Sequence, residues 1–166
     1  MTRRAASNSG MIDIIVAIEA GDWPPRDELE ALAARAVAES LVWLEMVPAV
    51  PSELGLTFTD DAGMAAANGK WRGKPAPTNV LSFPLVALRP GDALPPLLGD
   101  IIVAEQTVRR EARQQRKPFL DHLTHLVVHG FLHLAGYDHV DDAEAETMEA
   151  AERGILQRLA IPDPYA

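Results

Sequence analysis

The residues from His122 to His139, HLTHLVVHGFLHLAGYDH, constrain this chain more than any other stretch, because all five of its histidines fall there. His122, His125, His129 and His133 recur at helical spacing along one side of an expected helix, and His139 follows a turn at Gly136. His129 and His133 are four residues apart, so their imidazoles leave the helix in the same direction about one turn, or ~5–6 Å, apart. Two such rings can occupy two corners of one metal ion. A third ligand from His125 would spread the set over about 12 Å of rise, too far for one tetrahedral ion with Zn–N bonds of roughly 2.0–2.1 Å. The third ligand must therefore come from beyond the helix, and Gly136 can take the left-handed conformation that ends a helix and turns the chain back. The resulting pattern is H-x3-H-x5-H at His129, His133 and His139. It leaves a fourth corner open, as a catalytic zinc site requires. His122 and His125 are expected to be ordinary helix residues.

The spacing also matches the long zincin pattern H-E-x-x-H-x-x-G-x-x-H, except that Gly130 stands where a metalloprotease carries its general-base glutamate. A glycine inside a helix costs about 1 kcal/mol relative to alanine, so a close approach of backbone or substrate is expected there. Without the carboxylate, peptide hydrolysis is disfavoured.

A chain of 166 residues suits one domain with its own core. The absence of cysteine excludes disulfides, thiolate zinc sites and thiol catalysis. No apolar run approaches the ~18–20 residues of a membrane span, and Asp13 and Glu19 interrupt the early apolar run, so a cytoplasmic protein without membrane contact is expected. The net charge of −9 argues against non-specific coating of nucleic acid. The charge is uneven, however: Lys70, Arg72 and Lys74 cluster in one loop and Arg109, Arg110, Arg113, Arg116 and Lys117 in another segment, so a local basic groove for RNA remains open.

Residues 1–10 are small, polar and aperiodic, and read as a disordered extension before a single domain at 11–166. Strands are expected at 12–19, 53–59, 80–83 and 99–104, the third on a sheet edge because Pro84 follows it. Helices are expected at 26–45, from Asp60-Asp61 to about Asn68, then to about Arg116, through the histidines to Ala135, and at about 141–160. The histidine helix is apolar nearly all round, hence central and buried. The acids at the start of the last helix suit its dipole and need no other role. The elements interleave as one α+β domain with a small sheet of four strands.

HGFLHLAGYDH at 129–139 resembles the signature of the YbeY family of bacterial endoribonucleases, zinc-dependent proteins of rRNA maturation. The resemblance extends to Trp71-Arg72-Gly73-Lys74, to PTNVLSFP at 77–84, to Leu98-Gly99-Asp100-Ile101 and to Asp163-Pro164-Tyr165, in the family's order. It spans residues 11–166, and the tail Met1–Gly10 has no counterpart. The resemblance implies that His129, His133 and His139 bind one Zn2+, with His129 thereby catalytic, and that Arg72 acts at the active site. It implies a zincin-like domain whose small mixed four-stranded sheet packs on helices, with the metal-ligand helix central. It further implies processing of the 16S rRNA 3′ end, ribosome maturation and ribosome quality control. The expected partners are single-stranded rRNA, the small ribosomal subunit and one of its proteins, and an assembly GTPase.

The expected chemistry is metal-assisted cleavage of a phosphodiester in single-stranded RNA. Zinc can polarise a phosphate oxygen or lower the pKa of a water, and Arg72 can face the charge that builds on phosphorus with a fork of donors. Asp138 is a candidate base or an orienter of an imidazole, and His125 a candidate shuttle. The nucleophile, water or the RNA 2′-hydroxyl, stays open. Lys74, Asn79 and Ser82 are candidates for substrate contact along the sheet edge, and the basic segment 109–117 is either a solvated face or part of an RNA path. Two alternatives remain: a ribosome-assembly binding factor with mainly structural zinc, and a zincin-like hydrolase of another substrate.

Overall fold

Period-two burial gives the sheet its two faces. The computed structural model describes residues 12–166, so the expected disordered extension at 1–10 lies outside the described residues. The order of elements is β1 (Ile12–Ile18), α1 (Arg26–Trp43), β2 (Ser52–Thr59), α2 (Asp61–Arg72), β3 (Val80–Pro84), β4 (Leu97–Ala104), α3 (Glu105–Gln114), α4 (Phe119–Leu134) and α5 (Asp142–Arg158). In β2, Leu54, Leu56 and Phe58 are buried in the main core. In β4, Ile101 and Val103 join that core, whereas Ile102 and Ala104 meet Met64 of α2 and Leu81 of β3 on the opposite face. Strands β1 and β2 pair in parallel, as do β2 and β4, and β3 pairs antiparallel with β4, in the order β1-β2-β4-β3. The expected α+β domain with a mixed four-stranded sheet is borne out, and β3 is an edge.

Helix α4 is the element on which the others converge: it meets β3, β4, α1, α3 and α5. Leu123, Val128, Phe131, Leu132 and Leu134 are wholly buried along it. Gly130 explains how closely it lies on the sheet, since a Cβ there would come 2.9 Å from Cγ2 of Ile101. The close approach expected at this glycine is therefore helix against strand.

One boundary differs with consequence. Asp60 caps α2 as expected, its side chain accepting from the Gly63 amide at 2.8 Å. The helix does not stop at Gly69 but continues to Arg72 and ends on Gly73, whose φ of 69° is the left-handed terminator. Lys70, Trp71 and Arg72 thus ride the last helical turn and not a loop. Among the described residues, no helix is long and apolar enough to cross a membrane.

Candidate metal centre and its cleft

Helix geometry and one turn bring the three ligand candidates together. His129 and His133 leave α4 with ring centroids 4.6 Å apart. The helix closes at Ala135, and Gly136, with φ of 103°, reverses the chain. A side chain at 136 would also meet the Leu88 carbonyl oxygen at 2.7 Å, so the 85–96 loop closes over this turn. His139 returns with its ring 5.8 Å from that of His129 and 5.1 Å from that of His133. One nitrogen from each of His129, His133 and His139 lies within 4.8 Å of the others.

The donor set fits a metal ion. The Nε2 atoms of His129 and His133 are 3.1 Å apart, close to the roughly 3.3–3.4 Å between two ligand nitrogens on a tetrahedral zinc with Zn–N bonds of about 2.0–2.1 Å. His129 Nδ1 donates to Glu152 Oε1 at 2.5 Å, which leaves its Nε2 lone pair for a cation. His133 is held neutral, its pKa lowered to about 4 by burial first and then by His129 and His139. An unprotonated imidazole is the form that ligates.

Sequence reasoning missed Glu152, which lies in the middle of α5, beyond the first-turn acids that suit the helix dipole. Its side chain is only 1% exposed. Burial pushes its carboxyl upward, but the neighbouring His125, His129 and Tyr165 outweigh this and hold it at about 2. Tyr165, close to the C-terminus, donates its hydroxyl to Glu152 Oε2. Burial and this carboxylate push the phenol's pKa up. The signal for Glu152 was present in the chain: it sits among Met148, Ala151 and Ile155 on the apolar side of α5, where an acid needs a partner.

The cleft beside the histidines, of about 610 Å³, is lined by Arg72, residues 78–82, the 86–88 loop, His129, His133 and residues 136–139. Arg72 donates from Nη2 to the Ser82 carbonyl at 3.1 Å and lies over the Phe83 ring at 5.5 Å, which fixes the guanidinium at the sheet edge. Ser82 lines the cleft, and its hydroxyl donates to the Gly130 carbonyl at 3.3 Å, tying β3 to α4. Asn79 also lines it; its amide donates to Glu111 at 3.0 Å while its oxygen accepts the Val80 amide at 2.7 Å. Glu111 in turn contacts His122 Nε2 at 2.9 Å. Lys74 is exposed and is not among the lining residues. Asp138 lines the cleft, with Oδ1 accepting the His139 amide at 2.8 Å. His125 stands outside the cleft, its Nε2 3.5 Å from Glu152 Oε1. In the basic segment, Arg109 bonds Glu105 and the Asp22 carbonyl, and Arg110 faces Asp61 at 3.9 Å.

An α+β domain that gathers three imidazoles in an open cleft, with a fixed guanidinium in the same wall, has the architecture of a metal-dependent hydrolase. The family model described as Endoribonuclease YbeY matches residues 18–160. The chain belongs to that family. It is 52% identical over 159 residues to an Endoribonuclease YbeY of Rhizobium meliloti, covering 93% of this chain and 95% of the relative. It is 50% identical to the one from Sinorhizobium fredii, covering 93% and 92%. The solution structure of TM1509 from Thermotoga maritima aligns with a TM-score of 0.57 at 23% identity, over 89% of this chain and 92% of that one, a likeness of fold.

Proposed function

We infer that this chain is a metal-dependent endoribonuclease, a hydrolase of RNA phosphodiester bonds, with His129, His133 and His139 holding one zinc ion. The observation that carries this reading is the meeting of three imidazole nitrogens within 4.8 Å in a cleft that Arg72 also lines. A bound divalent ion supplies Lewis-acid polarisation of a phosphate oxygen or of a water. The chain's own groups do the rest. Arg72, held by the Ser82 carbonyl and the Phe83 ring, presents its remaining N–H donors to a phosphate entering the cleft. Asp138, an acid that lines the cleft, serves there either as the base or, through its bond to the His139 amide, as the group that orients that imidazole. Asn79 and Ser82 set the position of the edge strand along which substrate lies, and Lys74 adds positive charge outside the cleft.

The substrate we assign is single-stranded rRNA, at the 3′ end of the 16S precursor, in ribosome maturation and quality control in the cytoplasm. The small ribosomal subunit, one of its proteins and an assembly GTPase are the partners. What supports this is membership of the family, whose relatives at 50% identity and above are named endoribonucleases. The test is incubation of zinc-loaded protein with a single-stranded RNA carrying that 3′ precursor end, beside identically purified His133→Ala and Arg72→Ala. Cleavage by wild type and its loss in both folded variants is the expected result. Equal cleavage by all three would assign the activity to a contaminant. Binding to ribosomal subunits without cleavage would favour an assembly factor.

A further inference from the structure

We propose that Glu152 and Tyr165 form a positioning relay for the metal centre, through which the C-terminal segment sets the affinity of His129 for its ion. The proposal rests on the reading of His129, His133 and His139 as metal ligands and goes beyond it. Its ground is one continuous run of contacts. Tyr165 donates to Glu152 Oε2, and Glu152 Oε1 accepts from His129 Nδ1 at 2.5 Å. On the far side of that ring, His129 Nε2 stands 3.1 Å from His133 Nε2.

A neutral imidazole carries one proton on either nitrogen, and only the unprotonated nitrogen can ligate. A buried carboxylate at Nδ1 selects the tautomer with Nε2 free, fixes the ring plane and raises its basicity. A buried carboxylate needs both of its oxygens paired: Oε1 takes His129 and faces His125 at 3.5 Å, which leaves Oε2 in need of a donor. Tyr165 is that donor, and its ring is held by Arg153 at 5.6 Å and by His125, edge-on at 5.8 Å. Arg153 also pairs with Asp163 at 3.6 Å, so the last residues of the chain are fastened to α5 next to the carboxylate they complete. The tail therefore acts as a part of the metal site although none of its atoms lines the cleft.

The test is a zinc competition titration against a chromophoric chelator, on wild type, Glu152→Gln, Tyr165→Phe, the double variant and His133→Ala, with circular dichroism and thermal melts of the metal-free proteins. Absorption of the cobalt-substituted proteins reports ligand geometry apart from activity. Glu152→Gln is expected to weaken zinc binding by about ten- to a hundredfold, and Tyr165→Phe by a smaller factor. The double variant is expected to bind no more weakly than Glu152→Gln alone, because the tyrosine acts through the carboxylate. Unchanged affinity and an unchanged cobalt spectrum in folded Tyr165→Phe and Glu152→Gln would overturn the relay. So would additive losses in the double variant. If wild type and His133→Ala bind zinc alike, the three-histidine reading itself fails and the relay with it, an outcome distinct from a His133-dependent site that ignores Glu152.

Discussion

A guanidinium and an ammonium carry the same charge, but only the guanidinium offers a planar fork of donors that can hold a backbone carbonyl with one N–H and a phosphate with others. Arg72 already gives Nη2 to the Ser82 carbonyl at 3.1 Å. Arg72→Ala is therefore expected to slow single-turnover cleavage of single-stranded RNA by about 10²–10³-fold. Arg72→Lys recovers little of this, and full activity in the lysine variant would show that charge alone suffices. The meeting of His129, His133 and His139 could be read from the sequence because helical spacing and a turn glycine are local properties, fixed by a few neighbouring residues. Glu152 could not be read in the same way. It lies 23 residues from His129 along the chain, and only the docking of α5 on α4 brings them together. Its place on an apolar helix face marked it as a buried acid without naming the partner.

Two glycines show what an element demands of its sequence. At Gly130 an alanine gains about 1 kcal/mol of helix propensity, but its methyl would lie 2.9 Å from Ile101 Cγ2, and overpacking of a core typically costs about 1–3 kcal/mol. Gly130→Ala is expected to lower stability modestly in urea unfolding; a stabilised variant would mean that α4 can lift from β4 at no cost. At Gly136 both backbone and packing oppose a side chain, with φ at 103° and the Leu88 carbonyl oxygen in the way. Gly136→Ala is expected to lose more stability than Gly130→Ala, and also zinc affinity, because it displaces the turn that returns His139. Equal zinc affinity in wild type and Gly136→Ala would show that the turn does not set the site. The order and type of the elements followed from periodicity, whereas the end of α2 did not. Gly69 and Gly73 both carry the terminator signal, and only Gly73 takes the left-handed φ, so Arg72 remains helical beside the edge strand.

Across the whole molecule, the −9 charge and the buried polar contacts set how stability answers to pH. His122, 3% exposed in the core, has a pKa lowered from 6.5 by burial first, then by Lys117 and His125, against the raising effect of Glu111. A histidine with a depressed folded pKa contributes stability that is complete above its unfolded pKa and lost as pH falls through the folded one. The metal-free protein is expected to melt at a lower temperature at pH 5.5 than at pH 7.5. His133, lowered to about 4 chiefly by burial, acts in the same direction. The difference should therefore shrink in His122→Gln and shrink further in His122→Gln/His133→Ala, and an undiminished slope in His122→Gln would remove His122 as a cause. The partners, unlike the fold, were not legible in composition, since an acidic chain with two local clusters of cations names no RNA, and the expectation of them came from the family resemblance alone. The decisive experiment on the site joins metal to chemistry: strip the ion with a chelator, follow cleavage of single-stranded RNA, and return zinc in measured steps. Cleavage should vanish on removal and return with one equivalent of zinc per chain, while His133→Ala should stay inactive throughout. Undiminished cleavage by the metal-free wild-type protein would contradict a metal-dependent mechanism at His129, His133 and His139.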